Sequence, residues 1–225
     1  MGHTVTEWAT KVAVRLRDQA FIDVDTDDVV QIGVLPALAQ YSIDRPRTVA
    51  VDLPPSGRYV ALPSAGQGWV TGWSEVLRIE APAGETPPLV LDPGEWAVTR
   101  DVTTPATQVI LLPYELAAGE LARVFFSTVW PTPDQTSTAD QVSAVGFEAV
   151  SALAAAMVCT SLAAEAGRSR QGALPTDFVD GTERARNLQD VAASLRVVYN
   201  TFIGLGQLGT VNAGPSRTLR SSRLI

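Results

Sequence analysis

The sequence predicts an α+β protein built from about four helices, two N-terminal and two C-terminal. An antiparallel β-domain, sandwich- or barrel-like, is inserted between the two pairs, and an extended tail closes the chain. Three observations carry that expectation. Apolar residues recur at helical spacing near both ends: Trp8, Val12 and Leu16 at the start, then Ala185, Leu188, Ala192, Leu195, Tyr199 and Phe202. Between them, short β-rich runs alternate with Pro and Gly. The 225 residues are 46% hydrophobic and 18% charged, enough to bury a sizeable core and far from a disordered composition. The expected units are residues 1–47 with 135–205 as one discontinuous helical domain, 48–134 as the β-domain, and 206–225 as the basic tail.

The first helix is expected over Glu7 to Asp18, with Thr6 as N-cap and Glu7 at the positive end of the helix dipole. Asp25 or Thr26 caps a second helix from about Asp27 to Tyr41. Gly33 and Pro36 sit inside it, so a kink is expected near Ile32, where the proline ring meets a preceding carbonyl. The candidate strands are TVAVDL, RYVAL, GWVTGW, VLRIE, PLVLD, QVILL and ARVFFSTVW. In the first, Val49, Val51 and Leu53 alternate with smaller or polar residues; in the fourth, Leu77 and Ile79 oppose Arg78 and Glu80. Helix resumes behind a Thr138–Gln141 capping box and runs to a C-cap at Gly167. Val142, Val150, Leu153, Met157, Val158 and Leu162 form its apolar stripe, and its alanines allow close helix approach. The last helix opens at an Asp180–Glu183 capping box, and the Gly-rich stretch from Leu205 is expected to be extended.

Charge narrows the function. The net charge is −7, which speaks against a generic nucleic-acid binder, since that task needs a basic face. The charge is uneven: residues 1–205 carry −10, and 206–225 carry three arginines and no acidic residue. The stretch 48–134 alone holds ten acidic residues against four arginines. Lys11 is the one lysine. The N-terminal MGHTVTEWATKV has no apolar leader. The uncharged run Ala149 to Ala164 falls short of the ~20 strongly apolar residues of a membrane span, so no membrane association is expected.

Catalytic and metal chemistry find little to work with. One cysteine, Cys159, excludes a disulfide framework and a cysteine-based zinc site, and its place in an apolar stripe predicts an inert thiol. The single histidine, His3, lies at the N-terminal end, where fraying is expected. No nucleophile with an activating base emerges, so neither an enzyme nor a cofactor or metal site is expected. Gly204, Gly206 and Gly209 spell a dinucleotide-type G-x-G-x-x-G, but they follow a helix where that motif must precede one. Asp23, Asp25, Asp27 and Asp28 resemble the opening of a calcium loop, yet its sixth and twelfth positions are Asp28 and Val34 instead of Gly and Glu.

Two segments carry a family resemblance. The stretch LRDQAFIDVDTDDVVQIGVLPALAQYSIDRPR resembles the N-terminal helix pair of bacteriophage head-to-tail adaptor, or connector, proteins. The stretch VSALAAAMVCTSLAAEAGRSRQGALPTDFVDGTERARNLQDVAASLRVVYNTFIG is similar to their C-terminal pair: an alanine-rich helix, a loop, an acidic cap, and a helix ending Arg196-Val-Val-Tyr199. Together they cover about residues 5–47 and 139–203; Gly33 and Pro36 depart from the pattern. The resemblance implies a structural virion protein, located in the neck at the head–tail interface and present in host cytoplasm during assembly. It implies a ring, typically dodecameric, that sits under the portal protein, extends the DNA channel and presents a surface to the next neck or tail component. Genomic DNA would pass through without sequence-specific binding, as suits an acidic wall. It also implies that the tail residues Arg217, Arg220, Arg223, Leu224 and Ile225 dock on the portal or a neighbouring subunit. The alternative is a non-enzymatic ligand- or carbohydrate-binding module using Trp69, Trp73, Trp96 and Trp130 of the β-domain.

Overall fold

The structure is a computed structural model and describes residues 3–17, 25–101, 107–133, 142–168 and 175–204, with side chains at all of these except 17 and 175–181. It is α+β: among the described residues, four helices accompany two antiparallel sheets.

Helix α1 spans Val5–Arg17. Its cap is Thr4, two residues earlier than Thr6: the Glu7 N–H donates to Thr4 Oγ1 at 3.3 Å, and the Thr4 N–H donates to Glu7 Oε2 at 2.8 Å. This reciprocal box satisfies two otherwise orphaned N–H groups, which Thr6 has no such glutamate to do. His3 is not frayed; its ring stacks on Phe147 at 3.8 Å and meets Trp8 edge-on at 5.8 Å.

The second helix is continuous but changes pitch. It runs as α2 (Thr26–Asp28), a π-helical stretch Val29–Val34, and α3 (Leu35–Asp44), with Asp25 at the N-cap position. The sequence suggested a kink near Ile32; there the chain widens its turn, and the Leu35 N–H reaches the Val30 carbonyl. A wider turn accommodates the missing N–H and the bulky ring without ending the helix. Gly33 faces α4, the helix Ala144–Arg168: a Cβ there would lie 2.9 Å from Val158 Cγ2 and 3.1 Å from the Ala154 carbonyl oxygen.

Helix α4 touches α1, the π-helical stretch, α3 and α5, and each residue from Ala149 to Ala156 is buried. An apolar circumference of that kind marks a central core helix. By length and composition it could also cross a membrane, but 61% of its most apolar window is buried inside the protein. It is capped by Ser143, whose Oγ accepts from the Gly146 N–H at 3.1 Å; the Thr138–Gln141 box lies outside the described residues. The helix continues through Gly167 to Arg168. Helix α5 spans Pro175–Phe202, so Asp180 lies within it and not at its start; the fixed φ of proline at the first position suits a helix opening. Ala185, Leu188, Ala192 and Tyr199 are buried as the spacing predicted, whereas Phe202 is 40% exposed and Ile203 takes its place inside.

The strands are β1 (Arg47–Leu53), β2 (Pro55–Ser56), β3 (Tyr59–Ala61), β4 (Val76–Glu80), β5 (Ala97–Arg100), β6 (Gln108–Leu111) and β7 (Ala122–Thr128). They form a sheet ordered β1-β7-β4 and another ordered β2-β3-β6-β5. The alternation of β1 is as predicted, with Val49, Val51 and Leu53 turned inward and Thr48, Ala50 and Asp52 outward. In β4 a register shift between Val76 and Arg78 breaks the alternation, leaving Leu77 and Arg78 exposed and Ile79 and Glu80 buried. The Glu80 carboxylate is paired with Arg78, which also lies over the Phe125 ring at 4.8 Å. Two expected strands are absent as such. GWVTGW is a run of turns following a short 3-10 helix at Ala65–Gln67, and PLVLD makes only an isolated bridge, Val90 to Glu80, through the backbone bonds of Leu89 and Leu91. Glycines at positive φ, Gly68 and Gly72, divert the first into turns.

Buried apolar residues fall into two clusters. One draws on α1, the π-helical stretch, α3, α4 and α5, from Trp8 and Val34 to Tyr199 and Ile203. The other draws on both sheets through Leu53, Val60, Ile79, Ile110, Leu112 and Val124.

Candidate functional site

A cleft of about 490 Å³ opens where β1 and β7 meet the segment 65–70. Its floor and walls are supplied by Arg47 and Val49 of β1, the 3-10 turn with Trp69 and Val70, Thr128 at the end of β7, and Val129 and Pro131 beyond it. The turn is shaped by its own sequence. Ser64 caps it, with the Ser64 N–H donating to Gln67 Oε1 at 2.8 Å, and Gly68 leaves it at φ 92°. The turn is then fastened to β7: Thr128 Oγ1 donates to the Gly68 carbonyl, and the Trp69 ring packs against Phe126 at 5.4 Å. The segment behind it is held the same way, since the Glu75 N–H donates to Ser127 Oγ and the Ser127 N–H to the Glu75 carbonyl, both at 2.9 Å. The cleft is therefore formed in advance of any ligand.

Its far rim is tied to the helices. The Trp130 N–H donates to Ser42 Oγ at 3.0 Å, and Trp130 Nε1 donates to the Arg45 carbonyl at 2.7 Å. Arg45 in turn donates to the Ile203 carbonyl at 2.6 Å, just past α5. Arg47, half-buried in the cleft, has no carboxylate or hydrogen-bond acceptor among the described residues. A partly desolvated guanidinium with unused donors favours an anionic, planar acceptor such as a carboxylate.

The four tryptophans of the alternative reading do not converge. Trp69 lines the cleft, Trp96 packs against the β cluster with an indole N–H that finds no acceptor among the described residues, Trp73 sits half-buried in a turn, and Trp130 packs against the helical cluster. The tail residues Arg217, Arg220, Arg223, Leu224 and Ile225 lie outside the described residues. Of the Arg196–Tyr199 helix end, Tyr199 acts as a tie: its hydroxyl donates to Asp44 Oδ2 at 2.5 Å, joining α5 to α3. Burial, reinforced by that carboxylate, raises the Tyr199 hydroxyl above the ordinary tyrosine range.

Burial pushes the Cys159 thiol up to about 11, so it carries almost no thiolate near neutral pH. Among the described residues no three His, Cys, Asp or Glu side chains gather in metal-binding geometry. Asp25, Asp27 and Asp28 are exposed at the head of α2. Asp25 stands at the N-cap position but its side chain makes no capping hydrogen bond, so the expected box with Asp28 does not form. Asp27 and Asp28 lie in the first turn, where the helix dipole favours negative charge.

The cleft was not singled out from the sequence. A Ser64-x-x-Gln67 box was legible there, but nothing in the chain marks Arg47 as unpaired. No model of a known protein family matches this chain, and no curated protein matches it at a significant level.

Proposed function

We propose that this chain is a structural virion protein, a head-to-tail adaptor that forms a ring beneath the portal and extends the DNA channel. On this reading the two N-terminal and two C-terminal helices are one bundle, and residues 48–134 are a sandwich-like domain inserted between them. The observation that carries it is the shared helical cluster: Trp8 and Val34 from before the strands pack with Val150, Leu188 and Tyr199 from after them. The Tyr199–Asp44 and Arg45–Ile203 bonds tie the same two halves of the chain. The order of elements agrees with the family that the two helical segments resemble. An acidic body of −10 suits a wall that repels passing phosphates.

Docking falls to the basic tail, with Arg217, Arg220 and Arg223 pairing portal carboxylates and Leu224 and Ile225 adding apolar contact. Deletion of residues 206–225 tests this. The truncated protein keeps the circular dichroism and melting behaviour of the full chain but no longer co-sediments with the portal; undiminished co-sedimentation sinks the tail's role.

Trp69 in a preformed cleft favours the second reading, a carbohydrate- or ligand-binding module. A glycan array decides it: saturable binding that Trp69→Ala abolishes, with the fold intact, supports the module.

A further inference from the structure

The sheet ordered β1-β7-β4 has two margins, and they are treated differently. The outer side of β4 is covered: the Ala81 N–H donates to the Leu89 carbonyl at 3.1 Å, the Leu91 N–H donates to the Ile79 carbonyl at 2.9 Å, and Glu80 bridges to Val90. The outer side of β1 has no backbone partner among the described residues. Yet β1 is seven residues long, contains no proline, and pairs with β7 without a bulge from Arg47 to Leu53. Proteins normally blunt such an edge, because its free N–H and C=O groups template another strand.

The second observation is what lies beside that edge. Arg47 and Val49 of β1 line the cleft, with Trp69, Val70 and Val129 as its apolar wall. Val70 and Val129 are 37% and 36% exposed. Directly opposed residues on paired strands share a face, with Cβ atoms about 4.5–5.5 Å apart. The next residue on that face lies two positions on. A strand laid along β1 would thus set one side chain against Arg47 and another, two residues away, against Val49 and the Trp69 wall.

We propose that the free edge of β1 and the Arg47 cleft together form a strand-docking site for a segment of another protein. Its occupant is an extended peptide with a carboxylate opposite Arg47 and an apolar residue two positions along, opposite Val49. Backbone pairing supplies affinity and the two side chains supply register. The chain's own residues 206–225 contain no acidic residue and do not meet this requirement. The site does not depend on the adaptor reading.

The test titrates the full chain with the peptide acetyl-TVTETVT-amide, followed by amide shifts in β1 and by tryptophan fluorescence. Valine on both sides of the glutamate fits either strand direction. The glutamine analogue should bind up to about fivefold more weakly, the scale of a partly exposed ion pair. Arg47→Met, checked for an unchanged melting curve, should reduce the glutamate peptide to the glutamine level. Two further peptides are N-methylated along one edge or the other. One should bind like the parent, and the other should lose about tenfold or more, since several backbone bonds vanish together. No binding to the wild-type chain, equal loss with both methylated peptides, or indifference to Glu→Gln would each overturn the proposal. So would self-association of the free protein that the peptide disperses, which would place a second copy on this edge.

Discussion

The two hydrophobic clusters are packed by opposite means. The helical one relies on small residues and close backbone approach: Ala149, Ala152, Ala154, Ala155 and Ala156 are buried in α4, and Gly33 and Gly146 admit neighbours where a methyl group would collide. The β cluster relies on large branched side chains, with Val60, Ile79, Ile110, Leu112 and Val124 fully buried. Close packing makes both sensitive, but to different insults. Atoms removed should hurt the β cluster most, and atoms added should hurt the helical one.

Removal gives the largest expected effect. Ile110→Ala empties a fully buried site of the β cluster and should cost about 2–5 kcal/mol of unfolding free energy, measured by urea titration. A loss under about 1 kcal/mol would mean that the cluster collapses around the cavity and that the contrast is false.

Addition comes next. A Cβ at Gly146 would lie 2.6 Å from both the Tyr41 hydroxyl oxygen and Val142 Cγ1. Gly146→Ala should therefore destabilise by about 1–3 kcal/mol, even though alanine is the better helix former. An alanine at Gly72 meets no such neighbours and isolates the backbone cost of a positive φ. Stabilisation by Gly146→Ala would refute the close approach of α3 to α4.

Smaller effects probe the polar ties of the helical region. Tyr199→Phe removes the donor to Asp44 and should cost about 1 kcal/mol. The smallest concerns Glu148, which pairs with Lys11 at 2.6 Å and Arg15 at 2.5 Å and joins α4 to α1. Hydrogen bonding to Lys11, then the charges of Lys11 and Arg15, hold its carboxyl below the ordinary glutamate value of 4.5 despite an opposing desolvation. Because the folded value is depressed, this stabilisation is complete above about pH 4.5 and is lost as the pH falls through the folded value. The pair is about one-third exposed, so Glu148→Gln should cost about 0.5 kcal/mol at neutral pH and flatten that acid slope. An unchanged slope would place the acid sensitivity elsewhere.

The contrast also explains what could be read from the chain. The α5 stripe was legible because burial there follows helical spacing from Ala185 to Tyr199. The ends of helices were less so. Thr4-x-x-Glu7 and Asp180-x-x-Glu183 are both box-like patterns, yet only the first stands at a helix start. Deciding between them requires knowing where the chain enters the helix, which is a tertiary matter. The π-helical stretch arises from Pro36 within the helix and Gly33 pressed against Val158, and no local propensity encodes it. In the β region, composition marked strands at TVAVDL and ARVFFSTVW, of which the second ends at Thr128, but also at GWVTGW, where glycines at positive φ give turns. The cleft was hidden for a different reason: its chemistry depends on Arg47 having no partner among the described residues, and pairing is a property of the assembled surface.

The adaptor reading stands most directly on one experiment. The purified chain is mixed with the portal protein that this reading gives it as a partner and imaged by negative stain. We predict a closed ring, twelvefold in keeping with the family it resembles, stacked coaxially on the portal. A folded protein that stays monomeric, alone and with the portal, would contradict it.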